Sequence, residues 1–268
     1  MIDAELGIVI DVLNDSSYTS ALGIRLYALA AELSRMAGWA SFDAGLHAAA
    51  QRYWISALHL AHAADDRLLG ANILKSMSLQ CYDFAMPAEA LALAQSAYAG
   101  SEDSQPRAKA MLALREARAH AALKDAKSCE RLIREAEASF GSLRFPDDHP
   151  AWLTYFDQSE YYAQMGTCYL DLGDSRRADF YLQQSLSLAP DTKIRDRATY
   201  VIRRAAAQAA SGEMDEAAHL IKEAVPLIHQ APSERNLQRI HRTREKITFS
   251  GSDPRGEELD EQLAGLVA

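Results

Sequence analysis

The segment Tyr162-Ala-Gln-Met-Gly166-Thr-Cys-Tyr169-Leu-Asp-Leu-Gly173-Asp174-Ser-Arg-Arg-Ala178-Asp-Phe-Tyr-Leu182, running on to Pro190, decides the fold. It reads as two helices folded back on each other. Tyr162, Gly166 and Tyr169 put aromatic, small and aromatic residues on the first helix. Gly173 and Asp174 form the reversal, and Ala178 and Leu182 put a small and a large residue on the second. Helices can cross closely only where one presents small residues to the larger side chains of the other, and Pro190 ends the unit.

The same small-small-small-large-small spacing recurs four more times. The copies are Gly38, Gly45, Ala50, Trp54 and Ala57; Ser78, Ala85, Ala90, Ala94 and Ala97; Ala117, Lys124, Cys129, Ile133 and Ala136; and Ala205, Gly212, Ala217, Ile221 and Ala224, closed by Pro232. The third copy keeps its small residues but has no turn glycine. Anchor positions 50, 90, 129, 178 and 217 are 40, 39, 49 and 39 residues apart, longer than the 34 of a standard tetratricopeptide unit. The expected fold is therefore all-α: a tetratricopeptide-like right-handed superhelix of about five helical hairpins with capping helices.

The expected organisation is capping helices over 1–25, a repeat array over 26–231, and C-terminal helices with a linker over 232–268. Ile2 to Leu13 and Tyr18 to Arg25 read as short helices on either side of the cap-rich Asn14-Asp15-Ser16-Ser17. The wide spacing between the third and fourth copies coincides with Gly141 to Pro150, expected as an exposed loop and hinge. At the end, Glu234 to Ile247 reads as a basic amphipathic helix, Gly251 to Gly256 as a linker, and Glu257 to Val267 as a last helix free to move.

Composition excludes several function classes. Ala-rich segments with 13 Gly and 8 Pro among 268 residues suit helices rather than a strand-rich fold. A formal charge of −9 opposes binding to nucleic acid, because phosphate contacts need clustered Lys and Arg. Cys81, Cys129 and Cys168 are odd in number and far apart, which suits buried thiols in a reducing compartment. The apolar stretch Leu6 to Leu13 is interrupted by acidic residues and lacks a basic leader. No run approaches the roughly 20 apolar residues of a membrane span. A cytoplasmic protein is expected.

Three stretches resemble the C-terminal half of a large family of actinobacterial helix-turn-helix transcriptional regulators. The first runs from Leu29-Ala-Ala-Glu-Leu33 through Ala37-Gly-Trp-Ala-Ser-Phe-Asp-Ala-Gly45 and Ala49-Ala-Gln-Arg-Tyr53 to Ala57-Leu-His-Leu-Ala-His62. The second runs from Trp152 and Tyr155-Phe-Asp157 into Cys168-Tyr-Leu-Asp-Leu-Gly-Asp174. The third is the Ser233 to Lys246 helix followed by Glu258-Leu-Asp-Glu-Gln-Leu263. The resemblance implies a tetratricopeptide region that senses a ligand or partner, an architecture shared with quorum-sensing peptide receptors. Only about 25 residues precede the first hairpin, too few for a helix-turn-helix domain. The expectation is a stand-alone relative or a sensing half separated from its DNA-binding half.

In such arrays the first helix of each hairpin lines the concave face. Residues about one turn apart on those helices make the candidate groove: Glu32, Arg35, Trp39 and Asp43; Asn72, Lys75 and Leu79; Arg115 and Arg118; Glu160, Gln164 and Thr167; and Arg203. The ligand-binding set is Arg35, Trp39, Asn72, Lys75, Leu79, Arg115, Arg118, Gln164 and Arg203. Its five cations point to a protein or peptide partner, or an anionic small molecule. The competing reading pairs them with Glu32, Asp43, Asp83 and Glu160 on exposed helix faces.

Trp39, Trp54, Trp152, Tyr155, Phe156, Tyr161 and Tyr162 could form an aromatic pocket, although packing between helices is the simpler role. His59 and His62, followed by Asp65 and Asp66, have helical metal-ligand spacing, but solvated surface chemistry accounts for them equally. His120 reads as packed rather than catalytic. No phosphate loop, nucleophile elbow or HExxH motif occurs, so no catalytic residue, metal or cofactor is expected. The alternatives to ligand sensing are a stand-alone adaptor, a homodimer formed through Glu234 to Ala268, or a biosynthetic accessory protein or enzyme using carboxylates such as Asp43, Asp83 or Glu160.

Overall fold

A computed structural model describes residues 2–101, 104–143, 149–249 and 253–266. Among these residues there are thirteen α-helices, a short 3-10 turn at Ala151–Leu153, and no strand. After α1 (Ile2–Asp15), the helices fall on the five copies of the pattern. The pairs are α2 (Ser20–Asp43) with α3 (His47–Ala63), α4 (Arg67–Asp83) with α5 (Pro87–Ala99), α6 (Pro106–Ala122) with α7 (Ala126–Gly141), α8 (Gln158–Leu172) with α9 (Ser175–Leu188), and α10 (Ile194–Ser211) with α11 (Met214–Gln230). α12 (Glu234–Arg244) and α13 (Pro254–Ala264) follow. The partners of the first, second, fourth and fifth pairs pack directly on each other.

The small residues do what their spacing implies. A Cβ on Gly38 would lie 2.4 Å from Nε1 of Trp54, and one on Gly166 would lie 2.7 Å from Cγ of Leu182, so each glycine is the hole that receives the large residue of the next helix. Ala50, Trp54, Ala57, Ala90, Ala94, Ala97, Cys129, Ala136, Ala178, Leu182, Ala217, Ile221 and Ala224 are completely buried. In the second pair the Ser78 hydroxyl donates to the Ala90 carbonyl at 2.8 Å, which satisfies a buried polar atom at the crossing. All three cysteines are free thiols, with Cys129 and Cys168 buried.

The reversals inside the hairpins share one backbone device. Gly45, Gly173 and Gly212 have φ of 75°, 91° and 87°, and Ala85 and Lys124 adopt the same left-handed conformation at 54° and 63°. The absent turn glycine of the third copy therefore does not mean an absent turn. Asp174, the residue after Gly173, then caps α9 by accepting the Arg177 amide at 3.0 Å.

The two ends differ from expectation. Tyr18 to Arg25 does not form a separate helix: Thr19 caps α2 by accepting the Leu22 amide at 3.3 Å, and α2 continues unbroken past Arg25 into the first hairpin. Gly23 lies in the first turn of α2 with its N–H bonded to the Thr19 carbonyl at 2.9 Å, and no Pro follows to stop the helix. At the other end, α13 starts at Pro254, inside the expected linker, because Asp253 caps it and proline suits the first helical turn. Nor is it loose. Leu259 and Leu263 are buried in one core with Ile221, Ile228 and Ile240. Lys222 meets Glu258 at 2.8 Å, and Arg244 meets Asp260 at 2.9 Å. Half of the loop expected at Gly141 to Pro150, residues 144–148, and Val267 at the end of the last helix, lie outside the described residues.

The chain divides into two compact units, one of residues 1–119 with 134–148 and the other of residues 120–133 with 149–268. Among the described residues no helix is long and apolar enough to cross a membrane.

Candidate functional site

In the first unit the candidate residues lie on α2, α4 and α6. Arg35 is held by Glu32 through its Nε at 2.8 Å and its Nη2 at 2.5 Å, so the pairing reading holds for this cation. Trp39, half-buried, meets Trp54 edge-on with centroids 6.2 Å apart and tilts against Phe42 at 5.7 Å. The Lys75 ammonium sits 5.9 Å from the centre of the Trp39 ring, although Lys75 is only 2% exposed. A lysine so deeply placed needs electrostatic company, and the ring face supplies part of it.

One turn before Lys75, Asn72 is completely buried, and neither its Oδ1 nor its Nδ2 has a hydrogen-bond partner. An amide in that state is costly, on the order of 1–3 kcal/mol. Leu79 and Arg115 are buried, and the Arg118 guanidinium stacks 4.3 Å from the centre of the Tyr82 ring. The first unit therefore brings together on α4 an unsatisfied amide and a buried cation, beside an aromatic face from α2.

In the second unit the candidates meet on α8 and α10, which pack together. Glu160 is the centre: its Oε1 accepts from Nε2 of Gln164 at 2.5 Å and its Oε2 from the Tyr200 hydroxyl at 2.5 Å. Burial and the neighbouring Glu160 and Asp196 carboxylates raise the Tyr200 hydroxyl well above its ordinary pKa, so it stays a donor. Thr167 turns its hydroxyl back onto the Ala163 carbonyl at 2.6 Å, and Arg203 is 7% exposed.

Asp196, one turn before Tyr200, is pushed up to about 6, first by burial and then by the Glu160 charge. At the edge of the cluster, burial would raise Asp157, but bonds from Lys193 at 2.6 Å, from Ser159 and from the Glu160 amide outweigh it and hold that carboxyl low. The arrangement can hold a positive charge and exchange a proton near neutrality. Sequence reasoning missed Asp196 and Tyr200. Their spacing from Arg203 on α10 is the available signal, since 196, 200 and 203 repeat the intervals of Glu160, Gln164 and Thr167 on α8.

The remaining candidates separate. Trp39 and Trp54 belong to one unit, and Trp152, Tyr155, Phe156, Tyr161 and Tyr162 to the other. Tyr162 stacks on Tyr181 at 6.1 Å, and Tyr161 and Phe156 are buried, which is packing. His120 faces Asp125 at 3.1 Å. His62, Asp65 and Asp66 border a cleft of about 380 Å³ with Gly70 and Leu74 at the α3–α4 turn. Among the described residues no group of three or more His, Cys, Asp or Glu could hold a metal ion. No family model matches the chain, and no curated protein matches it significantly in sequence.

Proposed function

We propose that the chain is a tetratricopeptide-like sensing module of the cytoplasm, linked to transcriptional control, that receives an acidic peptide or small anion on the α2–α4–α6 face of its first unit. The carrying observation is the Asn72 amide, fully buried with both polar atoms unpaired, one turn from the buried Lys75 ammonium. An amide offers a donor and an acceptor, and the ammonium adds charge. An anionic group bound there gains a charge-assisted hydrogen bond, and the amide recovers its desolvation cost. The resemblance to the sensing halves of helix-turn-helix regulators supports the regulatory role, and the net charge of −9 argues against direct contact with DNA.

Calorimetry with an Asp- and Glu-rich peptide tests this reading. Lys75→Met keeps the buried volume and removes the charge. Affinity should fall by about tenfold or more, the loss of one charge-assisted hydrogen bond. Equal affinities would end the proposal.

A homodimer is the second reading, and the structure favours a different surface for it than the C-terminal helices. The apolar side chains of α12 and α13 are used within the chain, with Ile240, Leu259 and Leu263 buried. On α2, by contrast, Leu22, Leu29 and Met36 are 43%, 48% and 41% exposed. They stand seven residues apart, with the half-buried Leu26 and Leu33 between them. This is the repeat of a helix that seats a second helix.

A further inference from the structure

We propose that Glu160 and Asp196, together with the carboxamide oxygen of Gln164, form a binding site for an alkylammonium group, carried either by a free polyamine or by a lysine side chain of a peptide. The site lies wholly in the second unit and does not depend on the anion reading of the first.

The argument starts from the acceptors. Glu160 spends one lone pair on the Gln164 amide and one on the Tyr200 hydroxyl, which orients its carboxylate but leaves it with acceptor capacity to spare. Because the Gln164 nitrogen must donate to that carboxylate, its oxygen is fixed as the other amide atom. That oxygen is buried and accepts no hydrogen bond. Asp196 makes no hydrogen bond to any described residue. Glu160 and the unpaired Gln164 oxygen thus lie side by side, and Asp196 stands one turn before Tyr200, whose hydroxyl reaches the same Glu160 carboxylate.

The charges around Asp196 come from both helices. α8 and the residue before it supply Glu160 and Asp157, while α10 and the residue before it supply Lys193 and Arg195. Lys193 is engaged with Asp157 at 2.6 Å. Arg203 and the Tyr200 hydroxyl flank the cluster on the C-terminal side. An anion would meet two carboxylates here, whereas an ammonium has three N–H donors for three acceptors. Burial first, and then the Glu160 charge, raises the proton affinity of Asp196, and a bound cation offsets both.

Calorimetry on the full chain at pH 7.5 tests the site, with spermidine in one arm and a blocked lysine tripeptide in the other. One saturable site is expected for at least one probe. Glu160→Gln and Asp196→Asn should each weaken it about tenfold or more, while the exposed-surface control Asp191→Asn leaves it unchanged. Circular dichroism identifies any variant that fails to fold, and Asp196→Asn breaks no hydrogen bond, so at least that variant reports. Binding of spermidine alone assigns a free amine; binding of both probes assigns the lysine side chain as well. Absence of saturable binding by either probe up to about 10 mM, or binding indifferent to both substitutions, overturns the proposal. Neither result bears on the acidic-peptide test of Lys75.

Discussion

Ala85 carries its hairpin through a backbone conformation that L side chains avoid, at a cost of about 1–2 kcal/mol. Glycine adopts it freely, so Ala85→Gly should stabilise the protein by about 0.5–1 kcal/mol, less than the full relief because glycine loses more freedom on folding. At Gly38 the sign reverses. A methyl group there meets the Trp54 indole, and Gly38→Ala should cost about 1–3 kcal/mol. Urea unfolding followed by circular dichroism measures both, and a destabilising Ala85→Gly would contradict the account of the turns. Gly45, Gly173 and Gly212 were legible as reversals because glycine advertises the conformation. Ala85 and Lys124 were not, since the two helices that flank each of them impose it.

At the scale of elements, the hairpin pairs were readable because small-to-large spacing is a packing code, and every anchor on it is buried. The ends were less readable. Pro254 looked like part of a linker but opens α13, and only the tertiary contacts of Leu259 and Leu263 show why that helix stays in place. The stripe on α2 is not legible in the repeat spacing, because that spacing follows the Gly38 side of the helix, which faces α3. An antiparallel second copy centred on Leu29 would cover the stripe. Sedimentation at about 50 µM should show a dimer that Leu29→Glu converts to monomer. A monomeric wild-type chain at that concentration would exclude this interface.

Over the whole molecule, the rule that the first helix of each hairpin carries the groove singles out Asn72 and Lys75, and both are buried on α4 of the first unit. It could not show that Asn72 is unsatisfied, because that depends on what every neighbouring side chain fails to offer. The carboxylate cluster of the second unit was illegible for a related reason: Glu160 and Tyr200 are 40 residues apart, and only the packing of α8 on α10 joins them. The most direct test of the central claim is amide hydrogen exchange with and without the Asp- and Glu-rich peptide. Slower exchange should be concentrated in α4 around Asn72 to Leu79 and in the facing turns of α2, and should vanish in Lys75→Met. Unchanged exchange in α4 at saturating peptide, or protection that persists in the variant, would contradict it.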